Sequence, residues 1–152
     1  MPEDKAQEVI KWKPPNPDVL KFNTDGAYTP GNNHVGWGVI VRDHQGETVA
    51  ASAGCTEHIF DAFRAELNTV VQEVRMAGQL GAINAVMETN SQLLMLALNN
   101  RCVVASSVGL IIDDLKFHSS TIFSCDVVAC KRESNQPAHK LATIGWSCAL
   151  GV

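Results

Sequence analysis

The chain has 152 residues, 45% of them hydrophobic and 18% charged, which suits one domain able to bury roughly two-thirds of its unfolded surface without disulfides or a structural metal. Twelve basic against sixteen acidic residues give a formal charge of −4, which argues against a whole-surface nucleic-acid binder and leaves room only for a local basic strip. No apolar run approaches the roughly 20 residues that span a bilayer, so no membrane partner is expected.

Residues 1–18 hold four of the six prolines and several charges and end in WKPPNPD, which reads as a tail or linker leading into a domain over 19–152. The opening MPEDKAQEVIKWKPP has no apolar core of the signal-peptide kind, so no secretory leader is expected. Val19–Tyr28 reads as a strand that places Leu20, Phe22 and Thr24 on one face and Lys21, Asn23 and Asp25 on the other. The turn TPGNN separates it from a second strand, His34–Asp43, with alternating Val35, Trp37, Val39 and Val41. A turn at His44-Gln45-Gly46 leads into a third, Glu47–Thr56, so these three strands form an antiparallel meander.

The period then changes. Phe63, Leu67, Val70, Val71, Val74 and Ala77 recur at helical spacing, with Asp61 as N-cap and Gly81 as stop. Ala82–Thr89 reads as a strand, Ser91–Asn99 as a short buried helix and Arg101–Ser107 as a loop. Val108, Ile111, Ile112 and Leu115 mark a further helix and Thr121–Lys131 a further strand. A last helix opens at Asn135-Gln136-Pro137, with Ala138, Leu141, Ala142, Trp146 and Ala149 as its inner stripe. The order calls for an α/β fold with a mixed sheet whose crossover helices cover both faces. The five cysteines show no disulfide or zinc spacing, so reduced thiols in a cytoplasmic or nuclear protein are expected.

Four positions could carry chemistry. Asp25 precedes Gly26 at the end of the first strand, where a glycine lets a backbone or phosphate come close, although Asp-Gly is most often only a turn. Glu66 lies about 40° from Val70 around the first helix, at the margin of its apolar stripe. Glu73 is only about 20° from Glu66, so periodicity does not choose between them. Asn90 and Ser91 follow a strand and are good helix caps; the functional reading puts Asn90 beside Asp25. His139 lies in the first turn of the last helix, opposite its stripe, and Lys131, Arg132 and Lys140 make the nearby stretch the most basic of the folded part.

The segments WKPPNPDVLKFNTDGAY, GWGVIVRDHQGETVAA, RAEL, METNS and KRESNQPAHKLA occur in that order over about residues 12–146. Together they resemble the plant ribonuclease H-like domain family, a reverse-transcriptase-like group related to retroelement RNase H. The resemblance implies an RNase H-like fold with a five-stranded mixed sheet, the first three strands antiparallel, and helices on both faces. It also matches the family's Ala-Glu pair to Ala65-Glu66 rather than to Glu73. Active relatives cut the RNA strand of RNA–DNA hybrids with two Mg²⁺ or Mn²⁺ ions held by four carboxylates, and these positions fall on Asp25, Glu66, Asn90 and His139. The implied metal ligands are Asp25 and Glu66; the nucleic-acid contacts expected from the residues themselves are Gly26, Lys131, Arg132 and Lys140.

Two of the four positions depart from that pattern. Two unit charges 4 Å apart repel by roughly 4 kcal/mol at an effective dielectric of 20, and two divalent ions by on the order of 16 kcal/mol. Asp25 and Glu66 offset only two of four positive charges, a neutral Asn90 offers a weak carbonyl oxygen, and Mg²⁺ prefers oxygen to the nitrogen of His139. The expectation is therefore a monomeric RNase H-like domain that binds RNA–DNA hybrid or other nucleic acid, with weak or single-site metal binding and weakened or lost hydrolysis. The alternative is an inert domain kept as a nucleic-acid or protein interaction module.

Overall fold

A computed structural model describes residues 11–89 and 124–149 of the chain. The helices expected at Ser91–Asn99 and Val108–Leu115, the loop between them, and Asn90 lie outside the described residues. The elements are β1 (Leu20–Tyr28), β2 (His34–Arg42), β3 (Thr48–Glu57), α1 (Ala62–Leu80), β4 (Asn84–Thr89), β5 (Ser124–Ala129), a 3₁₀ turn (Arg132–Ser134) and α2 (Gln136–Ala149). The strands lie in the order β3-β2-β1-β4-β5. β1, β2 and β3 pair antiparallel, and β4 joins β1 and β5 in parallel, so the sheet is mixed.

The alternation read in β1 and β2 decides which helix each residue meets. Phe22, Val39 and Val41 pack with Ala77 of α1 and with Ala85 and Met87 of β4. Burying Phe22 completely contributes about 1.5–3 kcal/mol. The even-numbered residues of β2 face the other way, towards α2. A Cβ on Gly36 would lie 2.4 Å from the Ala142 oxygen, and one on Gly38 would lie 2.4 Å from Leu141 Cβ. α2 thus sits backbone-close on β2, with Ala138 and Ala142 fully buried and Trp146 stacked on His34 at 4.1 Å. Helices cover both faces.

α1 begins and ends where its caps dictate. The Asp61 carboxylate accepts from the Arg64 amide at 2.7 Å and pairs with its guanidinium at 2.9 Å. Gly81 adopts φ +64°, a left-handed conformation that costs glycine little, and its amide returns to the last-turn carbonyls. Each of these signals acts within a few residues.

β1 runs to Tyr28, paired with Val35 of β2, as the alternation predicts, so Asp25 stands three residues inside the end of the strand. One described residue of the 1–18 stretch packs on the sheet: the half-buried Trp12 donates through its indole N–H to Asn23 Oδ1 at 2.9 Å, and the Arg42 guanidinium lies 3.7 Å from its ring centroid. An indole leaves water readily when its N–H finds an acceptor and a cation covers its face.

Candidate nucleic-acid interface

The centre of the site is three consecutive buried polar residues on β1: Asn23, Thr24 and Asp25, each less than a tenth exposed. Burial of polar groups is costly unless each is hydrogen-bonded, so their partners define the site. Asn23 and Asp25 project to the α2 face, and Thr24 projects to the α1 face.

Asp25 meets His139. His139 Nδ1 lies 2.7 Å from Asp25 Oδ2, while Asp25 Oδ1 accepts the Gly26 amide at 3.0 Å. An ionised carboxylate only accepts, so the imidazole carries a proton on Nδ1 and has Nε2 left for an outside partner. The imidazole is half-exposed and the carboxylate nearly buried. The structure therefore joins two of the sequence candidates across 114 positions.

The carbonyl of Thr24 accepts from Asn135 Nδ2 at 2.7 Å, and Asn135 is almost fully buried at the head of α2. That bond ties α2 to β1 one turn before His139. The missing Cβ of Gly38, paired with Asp25, lets the same helix close onto the sheet. Asn135 is a site residue that sequence reasoning treated only as a helix opener. Its sole local signal is its spacing of four from His139, which places both on one side of a helix.

Behind the strand, the Thr24 hydroxyl donates to Glu73 Oε1 at 2.5 Å. Glu73 is fully buried, and its Oε2 has no hydrogen-bond partner among the described residues. Burial pushes the Glu73 carboxyl well above the usual carboxylate range, the Thr24 bond opposes this, and Glu66 and Glu88 add to it. Glu66 stands in the second turn of α1 and is only half-buried. Both acids of the periodicity ambiguity thus face inward, with the more deeply buried one at 73. Cys130, which follows β5, is a free thiol pushed up to about 11, first by burial and then by the charges of Glu88, Glu73 and Asp25.

Gly26, expected to contact nucleic acid, also has a packing task. A Cβ there would lie 3.2 Å from Thr69 and 3.4 Å from Val35, so the close approach it permits is that of α1, on the face away from Asp25. Lys131 and Lys140 are exposed, and Arg132 lies in the 3₁₀ turn that leads into α2.

A two-metal centre is a poor fit to these residues. Among the described residues no three of His, Cys, Asp and Glu come together as metal ligands. Asp25 already accepts one bond at each oxygen, from the Gly26 amide and from His139, and the imidazole brings nitrogen where a hard cation prefers oxygen.

A mixed sheet with an antiparallel meander, parallel β1 and β4, helices on both faces and a buried acid on the central strand defines an RNase H-like domain. The profile of a family described as reverse transcriptase-like matches residues 23–145, and the chain belongs to that family. A search of curated proteins finds no match. Among solved structures, the N-terminal RNase H domain of Rv2228c from Mycobacterium tuberculosis is similar with a TM-score of 0.76 and 20% identity, covering 88% of this chain and 96% of that one. RNase H1 from Halobacterium salinarum is similar at 0.71 and 16%, covering 86% and 98%. LC11-RNase H1, solved in complex with RNA/DNA hybrid, is similar at 0.73 and 17%, covering 87% and 98%. At these identities the likeness establishes the fold.

Proposed function

We propose that this domain binds nucleic acid of the RNA–DNA hybrid class at the surface where His139 of α2 meets Asp25 of β1, and that two-metal hydrolysis there is weakened or lost. The observation that carries this reading is the 2.7 Å contact between His139 and Asp25. An imidazole N–H competes with a divalent ion for that carboxylate oxygen, and it supplies no negative charge of its own. With Asn90 neutral, Asp25 and Glu66 are left to balance two divalent ions, which is the charge deficit set out above. The nucleic-acid reading draws support from the family, and from LC11-RNase H1, whose structure holds an RNA/DNA hybrid.

Asp25 and Glu66 would hold a single Mg²⁺ or Mn²⁺ if one binds, and such an ion would activate water for phosphodiester hydrolysis. Lys131, Arg132 and Lys140 would meet phosphates along the edge that leads to His139, and Gly26 contributes through the seating of α1 rather than by touching the ligand. The test is a labelled RNA–DNA duplex incubated with the protein and Mg²⁺ or Mn²⁺. Binding with cleavage at least 100-fold slower than that of a four-carboxylate enzyme is expected, from the usual scale of lost charge stabilisation. The double variant Asn90→Asp, His139→Asp should raise cleavage. Rapid chelator-sensitive cutting by the unaltered protein would overturn the reading.

A further inference from the structure

Trp12 places cations where the overall charge gives no hint of them. With its indole turned into the domain against Asn23 and Arg42, its neighbours Lys11 and Lys13 are both exposed, and no ion pair among the described residues involves either. Beneath the ring lie two further cations: Arg42 at 3.7 Å and Lys21, whose Nζ is 5.3 Å from the ring centroid. Lys21 also donates to the Lys13 carbonyl at 2.7 Å, which fixes the backbone that carries the exposed lysine. Among the described residues, one acid enters this cluster through direct contact. Glu88, nearly buried, pairs with Lys21 at 3.1 Å and accepts from Asn23. Asp18 and Asp43 line a separate cleft with His44, Leu80 and Ile83. Lys11 and Lys13 thus put two exposed positive charges beside Lys21, whose own charge is balanced by Glu88, on a chain of net −4.

The patch lies on the same sheet face as the site. Lys21, Asn23 and Asp25 alternate along β1, so Lys21 is about 13 Å upstream of Asp25 at 3.3 Å per residue. That is about four base-pair steps of 3.4 Å. We infer that Lys11 and Lys13, held in place by docked Trp12, form a second phosphate-contacting patch that extends the nucleic-acid interface along β1 from the Asp25–His139 site. This inference rests on the nucleic-acid-binding reading given above. It adds a surface separate from Lys131, Arg132 and Lys140.

Fluorescence anisotropy with a labelled RNA–DNA hybrid, over a series of salt concentrations, tests it. The double variant Lys11→Ala, Lys13→Ala should weaken binding by ~10-fold at low salt and reduce the slope of log Kd against log salt by about 2. Trp12→Ala, with both lysines present but no longer anchored, should lose a comparable share; circular dichroism would confirm that it is folded. Unchanged affinity and slope in the lysine variant, with the unaltered protein binding well, would overturn the patch and leave the site reading standing. Full affinity in folded Trp12→Ala would overturn the anchoring role. Failure of the unaltered protein to bind the hybrid at low salt would overturn both readings together.

Discussion

Glu73 shows at the level of one residue how an inward-facing acid can be misplaced by periodicity. Its carboxyl is buried, holds one bond from Thr24, and is pushed well above its ordinary range by desolvation. The unfolded chain releases that proton near pH 4.3, whereas the folded state keeps it to higher pH. Its contribution to stability is therefore fully present below the unfolded value and is lost as pH rises towards and through the folded one, by at most about 1.4 kcal/mol per pH unit. Glu73→Gln keeps the acceptor for Thr24 and cannot ionise. Urea melts between pH 4 and pH 9 should show the variant gaining on the unaltered protein as pH rises; parallel curves would contradict the assignment. No local pattern separates residue 73 from residue 66, because both lie on the same side of α1. Only the position of Thr24 across the sheet distinguishes them.

At the level of elements, the seating of α2 on β2 brings His139 to Asp25. The close approach depends on Gly36 and Gly38, and a methyl at Gly38 would collide with Leu141 Cβ and lie 2.6 Å from the Ala138 oxygen. Much of that obstruction is backbone, which cannot turn aside as a flexible side chain can. Gly38→Ala should cost about 1–3 kcal/mol in chemical denaturation. It should also shift the His139 ring signals in NMR towards those of an unpaired imidazole. A variant of full stability with unchanged His139 signals would show that α2 is not seated this way. The meander, the caps of α1 and the apolar stripe of α2 were all legible in the sequence, because each follows from residues a few positions apart. The Gly-x-Gly of β2 carried no such meaning until the helix was placed over it.

For the whole molecule, Trp12 packs on the sheet although the residues on either side of it, Lys11 and Lys13, are exposed. The indole closes over a polar cluster that links β1 to β4, with Asn23 and Glu88 buried and Lys21 and Arg42 half-buried at its edge. Asn23 and Glu88 stand opposite each other, two residues ahead of Asp25 along β1. Trp12→Ala should lower unfolding stability by about 1–3 kcal/mol, less than a fully buried tryptophan because the ring is only partly buried. Thermal melts of the variant against the unaltered chain measure this, and an unchanged Tm would mean that the segment adds nothing to the fold.

The sequence by itself determined the strands and helices of the described regions, the two faces of β1, and, through its motifs, the RNase H-like resemblance. It also marked Asp25 and His139 as candidates, since strand alternation, helical period and capping are read from near neighbours. Tertiary structure alone decided that His139 holds Asp25, that Asn135 holds the backbone beside it, that Gly26 serves α1, and that Trp12 belongs to the domain. These contacts join residues from 11 to 114 positions apart. Hydrogen-bond geometry and steric fit across such separations exist only once the sheet and its two covering helices have closed.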